Sequence, residues 1–293
     1  MENRPHLESI RRSKRIVVKL GTQVVMSQFG LAEARLRALV RDVQQLRAQD
    51  KEIILVSSGA VGLGKKEIIA GESLSLVEKQ ACAAVGQGLL MAEYHRLFSE
   101  MQNGQSPRIA QVLLTNDDFF VQARYLSLRA TLNKLLSLKV VPIVNENDPV
   151  SDRELRANKR RSFGDNDMLS ALVASKLAAD VLVILTDVDG LFRESPATNP
   201  EAEHFPDISR KEQLNELKAG AGSKEGRGGV QSKIEAARMA AAFQVPTLIA
   251  SGLRDGILSS IFGAPGAAPA PRFTFFQATR SLAKKSKVGH YGD

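Results

Sequence analysis

The sequence has no tryptophan, a single cysteine and only 5% aromatic residues, and each shortage narrows what the chain can be. With Cys82 alone, no disulfide can form within the chain, which fits a reducing compartment. Cys82 sits in an alanine-rich helical pattern and reads as a small core residue rather than a nucleophile. No apolar run approaches the ~18 residues that a membrane span needs, so no membrane partner is expected. Residues Met1 to Lys14 carry charge but no apolar stretch, so no secretory leader is expected and the chain reads as cytoplasmic. The scarcity of aromatics removes the stacking platforms of single-stranded nucleic-acid binders. No internal repeat is found.

What the chain has in excess is positive charge, a net +8 over 293 residues. Basic clusters lie at Arg11 to Arg15, at 153–161 and at Lys284 to Lys287. The two terminal clusters read as solvated surface: a flexible arm over 1–14 and a basic tail over 281–293. The middle one stands between motifs and invites either an anionic small substrate or nucleic acid.

Apolar runs alternate with helical patterns along the chain. Arg15 to Leu20, Ile53 to Val56, Ile109 to Leu114, the run from Val140, Val181 to Leu185 and Val245 to Ala250 read as buried strands. Helical spacing covers Ala32 to Ala48, Leu76 to Met101, Asp117 to Leu136, Asn166 to Ala179 and Gln231 to Phe243. In the second of these, Gly86-Gln87-Gly88 marks close packing or a break. Leu191 to Ile208 reads as loop, Gly220 to Gly229 as a glycine-rich loop, and Arg272 to Phe276 as a closing edge strand. The alternation predicts an α/β chain, a mainly parallel central sheet between helical layers, with one domain over 15–280.

The polar residues gather where the strands end. Lys19 precedes Gly21-Thr22, and Ser57-Ser58 opens a glycine-rich turn that ends in Gly64-Lys65. That turn nearly matches a P-loop, but Lys66 stands where a magnesium-binding Ser or Thr belongs, so the P-loop is rejected. The run from Val140 delivers Asn145, Glu146, Asn147 and Asp148, and a second polar knot follows at Gly164 to Asp167. The carboxyl edge of a parallel sheet is where such folds bind ligands. Helix capping is the competing use for Asn166 and Asp167.

Together VVKLGT (Val17 to Thr22), SSGAVGLG (Ser57 to Gly64), VPIVNENDPV (Val141 to Val150), FGDNDMLSA (Phe163 to Ala171), LTDVDGLF (Leu185 to Phe192) and GGVQSKIEAA (Gly228 to Ala237) resemble the amino acid kinase family, over nearly the whole chain. The combination of SSGA, NENDxV and GDND resembles its glutamate-phosphorylating branch. The resemblance implies a three-layer α/β/α sandwich of about eight strands and the use of ATP with Mg2+. The implied reaction is phosphorylation of the side-chain carboxylate of L-glutamate to L-glutamyl 5-phosphate, the opening step of proline biosynthesis. A sister kinase acting on acetylglutamate or aspartate is the alternative. A glutamate carboxylate is already ionised at neutral pH, so no general base is needed, and none of the four histidines falls in these motifs.

By the same resemblance, Lys19 and Lys233 hold the transferring phosphoryl group and Asp167 aligns them. Ser58, Asn145, Asp148 and Asn166 are implied glutamate ligands, Asp148 meeting the ammonium. Gly21, Thr22, Thr186, Asp187 and the run Arg227, Gly228, Gly229, Val230, Gln231, Ser232 are implied ATP contacts, with Asp165 near the metal. A homo-oligomer (dimer or tetramer), a glutamyl phosphate reductase acting next, and feedback by proline are implied too. Two departures stand out: a long basic segment over 153–161, and Arg227 where the family carries threonine. No counterpart of the family's C-terminal PUA domain is expected, and no nucleic-acid partner.

Overall fold

Five of the apolar runs become neighbours in the middle of one sheet. The computed structural model describes residues 6–68, 73–101, 108–151, 166–220 and 224–278. Its eight-stranded sheet comprises β1 (Arg15–Leu20), β2 (Glu52–Val56), β3 (Ile109–Leu114), β4 (Val141–Glu146), β5 (Val181–Thr186), β6 (Asp207–Ile208), β7 (Thr247–Ser251) and β8 (Phe273–Phe276), in the order β6-β8-β7-β5-β1-β2-β4-β3. The six strands from β7 to β3 run parallel; β8 is antiparallel to β7, and β6 is parallel to β8. The chain steps from β1 to β2 on one side and later crosses back to β5 on the other. The crevice beyond the carboxyl ends therefore opens around β1.

Strand parity sorts the core into two halves. Ile16, Val18 and Leu20 pack into one cluster with Ile53, Leu55, Val183 and Leu185. That face is covered by α3 (Glu33–Arg47), α5 (Leu76–Glu100) and α11 (Ile257–Phe262), through Leu39, Val43, Leu90, Phe98, Leu258 and Ile261. Val17 goes to the other face with Ile54, Val56, Leu182 and Ile184, beneath α7 (Gln122–Ser137), α8 (Asn166–Lys176), α9 (Lys211–Gly220) and α10 (Lys224–Ala242). By the same period of two, Lys19 lies on the α8 and α10 side. The layering expected from the sequence is the layering observed.

The long helix α5 opens on a full capping box: Ser75 accepts from Glu78 N–H while the Glu78 carboxylate accepts from Ser75 N–H. Gly86 and Gly88 do not break it. Gly86 packs on the carbonyl of Ala60, the first residue of α4 (Ala60–Ile68), so the close-packing reading of this stretch holds. Among the described residues, no helix is long and apolar enough to cross a membrane.

Several expectations are corrected. Residues 7–11, assigned to a flexible arm, form the short helix α1 (Leu7–Arg11), held because Ile10 is buried in the core. The helical stretch from 117 is two helices, α6 (Asp117–Phe120) and α7, because Val121 takes an extended conformation that no glycine or proline announces. Residues 191–208 are not all loop: Leu191–Phe192 pairs with His204–Phe205, and β6 forms the sheet edge that β8 was expected to form. Two-residue strands carry no readable period. The glycine stretch 226–229 is helical, since α10 begins at Lys224. Each glycine costs about 1 kcal/mol there, but extending a helix already nucleated needs no new nucleus. The basic segment 153–161, Asp165 and the tail 281–293 lie outside the described residues.

Four helices that lead back into the sheet end alike. After α3, α7, α8 and α10 stand Asp50, Lys139, Ala178 and Gln244, at φ of 60°, 58°, 49° and 63°. Each closes with paired bonds such as Ala179 N–H to Ala174 O at 2.9 Å. Glycine is the residue best suited to this turn. Ala178→Gly should raise unfolding free energy by about 0.5 kcal/mol, strain relief exceeding the entropy that glycine adds to the unfolded chain. A denaturation midpoint that stays fixed or falls would rule this out.

Candidate active site

Lys19 is an ammonium on a buried central strand, only 7% exposed, between Val56 of β2 and Ile184 of β5 in register. A charge so placed must have a partner. It is Asp167, in the first turn of α8 and 1% exposed, whose Oδ1 lies 2.7 Å from Lys19 Nζ. The other oxygen, Oδ2, accepts from Ser232 Oγ and lies 3.5 Å from Lys233 Nζ. One carboxylate thus spans two lysines carried by β1 and α10. Burial alone would push the Asp167 carboxyl up; the charges of Lys19 and Lys233, with the hydrogen bonds from Lys19 and Ser232, outweigh it and hold the group below the usual carboxylate range.

These three side chains line a cavity of about 440 Å³ over the carboxyl ends of the central strands. On the β5 side stand Thr186, Asp187 and, from α10, Gly229; on the β2 and β4 side stand Ser58, Asn145, Glu146, Asp148 and Asn166. Lys19 lies between the two groups. The second group is internally connected. Asn166 Nδ2 donates to Ser57 O and Ser58 Oγ, each at 2.9 Å, and to Asn145 Oδ1 at 3.1 Å. Asn145 Oδ1 also accepts from Glu146 N–H, and Ser151 Oγ donates to Glu146 Oε1. Asp148 sits in a short 3-10 turn after β4, and burial pushes its carboxyl up.

Most of the expected site residues are brought together: Lys19, Gly21, Thr22, Ser58, Asn145, Asp148, Asn166, Asp167, Thr186, Asp187, Gly229, Ser232 and Lys233 all line the cavity. The resemblance implies that Gly21 and Thr22 offer backbone N–H groups to phosphate oxygens, but Gly21 has a different part. Its N–H is taken by Leu185 O at 3.0 Å, so it is not offered to phosphate. What matters is its missing side chain: a Cβ would lie 3.0 Å from Leu185 O and 3.7 Å from Lys19 Nζ. Val230 and Gln231 stand away from the cavity. Val230 packs against the α8–α10 core, and Gln231 Nε2 donates to Glu235 on its own helix. The side chains of 224–228, and so of Arg227 and Gly228, lie outside the description. Gln23 lines the cavity without having been singled out; Gly59 to Gly62 of the glycine-rich turn and Glu146 of the NEND run line it too, although neither was given a ligand. Buried behind them is Gln87 of α5, whose Oε1 accepts from Asn145 Nδ2 at 2.8 Å. No spacing in the sequence signals that contact.

The arrangement suits charge neutralisation. Two ammonium groups share one carboxylate, which makes the Lys19–Asp167–Lys233 bridge locally positive between the carboxylates of Asp187 on one side and Glu146 and Asp148 on the other. No described histidine lines the cavity to act as a base.

A sequence profile of the amino acid kinase family matches residues 14–251. The chain is 41% identical over 256 residues to a protein of Geobacter sulfurreducens named glutamate 5-kinase, covering 86% of this chain and 66% of that one. It is 40% identical to a glutamate 5-kinase of Thermus thermophilus, covering 92% and 68%. With the glutamate 5-kinase of Symbiobacterium thermophilum it shares 40% identity over 87% of this chain and 94% of the other. The chain thus spans about two thirds of the length of the first two. Among solved structures, carbamate kinase from Giardia lamblia bound to AMP-PNP superposes with a TM-score of 0.62 at 17% identity, covering 91% and 99% of the two chains. UMP kinase from Bacillus anthracis gives 0.55 at 14% identity, covering 91% and 96%. At such identities the likeness is one of fold.

Proposed function

The chain belongs to the amino acid kinase family, and from that premise we propose that it transfers the γ-phosphoryl group of ATP to the side-chain carboxylate of L-glutamate, giving L-glutamyl 5-phosphate. The observation that carries this reading is the Lys19–Asp167–Lys233 bridge set between two differently furnished halves of one cavity. Phosphoryl transfer asks for positioning and charge neutralisation rather than covalent help. Asp167, its carboxyl held below the usual carboxylate range, bridges both lysines and aims them at one point. ATP is assigned to the β5 and α10 side. Glutamate is assigned to the β2 and β4 side, where the hydroxyl of Ser58, the amides of Asn145 and Asn166 and the carboxylate of Asp148 suit an amino acid's two polar ends. The relatives named glutamate 5-kinase support this substrate over acetylglutamate or aspartate. Mg2+ accompanying ATP would be held by phosphate oxygens with one or two carboxylates; Asp187 lines the ATP side of the cavity, and Asp165 lies outside the described residues.

The test is ADP release with glutamate present and absent, the acyl phosphate being trapped by hydroxylamine. Release indifferent to glutamate, or equal with acetylglutamate or aspartate, would overturn the assignment.

Asp148 gives a sharper check on how glutamate is held. Asp148→Asn should raise the glutamate KM by about tenfold or more with the ATP KM nearly unchanged, since it removes the charge opposite the ammonium. Because burial raises the carboxyl, the wild-type kcat/KM for glutamate should fall, as pH drops, above the ordinary carboxylate range, and the Asn variant should lose that limb. For stability the sign is reversed: a folded-state pKa above the unfolded value makes ionisation unfavourable to folding, so Asp148→Asn should not lower Tm at neutral pH. Equal rises in both KM values, or a falling Tm, would make Asp148 a structural group.

A further inference from the structure

We infer that Gln87 is a positioning residue that sets the polarity of the amides holding glutamate, an inference that rests on the glutamate reading of the cavity. Gln87 lies in α5 and is 7% exposed. It does not line the cavity, and nothing above gives it a task. Its Oε1 accepts from Asn145 Nδ2 at 2.8 Å, and Asn145 Oδ1 accepts from Asn166 Nδ2 at 3.1 Å. Asn166 Nδ2 also donates to Ser58 Oγ at 2.9 Å. Three amides from α8, β4 and α5 therefore form one directed relay, donated from Asn166 through Asn145 to Gln87, with a branch from Asn166 Nδ2 to the Ser58 hydroxyl.

The direction is fixed by groups that cannot reverse. Glu146 N–H can only donate, and it donates to Asn145 Oδ1 at 2.9 Å. Ser57 O can only accept, and it accepts from Asn166 Nδ2 at 2.9 Å. Asn145 must then turn its Nδ2 away from the strand end, and Gln87 Oε1 is the acceptor that meets it. The outcome reaches the cavity at Ser58. Ser58 Oγ, already accepting, keeps its own hydrogen to donate, as a substrate carboxylate requires. Asn166 Oδ1 is buried, with no partner among the described residues.

The cost of Gln87 argues the same way. Its Nε2 is buried with no hydrogen-bond partner among the described residues. An unmatched donor lowers stability, so an apolar residue of the same shape would pack at least as well. A residue kept only for packing would not carry that group. One serving as the terminal acceptor of the relay must be an amide or a carboxylate.

The experiment compares Gln87→Met and Gln87→Glu with the wild type by steady-state kinetics and thermal unfolding. Methionine fills the space but offers no acceptor; glutamate keeps an oxygen for Asn145 Nδ2. Gln87→Met should raise the glutamate KM about tenfold, with the ATP KM within about twofold and Tm little changed. Gln87→Glu should hold the glutamate KM within about threefold of wild type. The inference is overturned by an unchanged glutamate KM in folded Gln87→Met, by equal rises for both substrates, or by Gln87→Glu failing as badly as Gln87→Met. Should Gln87→Met not fold, Gln87→Leu takes its place with the same outcomes. A wild-type protein without glutamate-dependent turnover would sink the glutamate reading and this inference with it. An active wild type beside an unaffected Gln87→Met sinks the inference alone.

Discussion

Lys19→Ala should lower kcat for glutamate-dependent ADP release by more than ~100-fold, because a preorganised charge facing developing charge is worth about 3 kcal/mol or more. It should also cost stability, and that second effect distinguishes it from Lys233→Ala. Lys19 is buried and 2.7 Å from Asp167, whereas Lys233 is 3.5 Å away. Removing Lys19 leaves a buried carboxylate with the more distant cation and the Ser232 hydroxyl. Breaking one partner of a buried pair typically costs about 3–5 kcal/mol. Both variants should therefore lose turnover, and Lys19→Ala should lose more Tm. The pH dependence follows from the depressed Asp167 carboxyl. A folded-state pKa below the unfolded one gives stability that is present above the unfolded value and lost as pH falls through the folded one. Without Lys19 the folded value rises, so acid unfolding should begin at a higher pH. Turnover near wild type in either lysine variant would remove the assigned role.

Gly86→Ala should be among the most damaging substitutions of a single methyl in this chain. A Cβ at Gly86 would lie 1.8 Å from Ala60 O and 2.6 Å from Gly64 N. These are backbone atoms of α4, so no side chain can swing aside. Gly64 makes the reciprocal contact, its Cβ position lying 1.8 Å from Cys82 O. Relief would require α4 and α5 to separate, and overpacking of this kind costs about 1–3 kcal/mol and sometimes more. The separation would carry Ala60 to Gly62 with it, and these line the cavity. Glutamate KM should rise alongside the loss of stability. Two residues away, a Cβ at Gly88 would meet nothing within 4 Å. Gly88→Ala should gain up to about 1 kcal/mol from helix propensity. Denaturation of the pair reads the contrast directly; similar midpoints would mean the α4–α5 contact yields easily.

The central strands were legible because burial on both faces leaves an unbroken apolar run, as in Val181 to Leu185, which a half-exposed strand would not show. Lys19 was legible as an anomaly within such a run, and its face followed from parity. Its partner was not: Asp167 follows 148 positions later, and only the resemblance joined them. Short elements escaped for a different reason. β6 has two residues and α1 five, too few for any period, and tertiary contacts alone hold them. The helical start of α10 escaped because glycine is weighed by its intrinsic cost, whereas an existing helix is extended at its end. Gln87 escaped because an amide pair 58 residues apart leaves no mark on either residue's neighbours.

The four left-handed turns after α3, α7, α8 and α10 bear on how this protein can be adapted. They lie at the amino ends of β2, β4, β5 and β7, opposite the edge where the cavity opens. Asp50 and Lys139 are joined by an exposed ion pair worth little. Gains at separate sites add, so glycine at all four would bring about 2 kcal/mol, a sizeable share of the roughly 5–15 kcal/mol that holds a typical domain folded. Heat tolerance and catalysis are thus written on opposite rims of one sheet. A lineage moving to a warmer habitat, or an engineer, can change the first by single codons without touching the second.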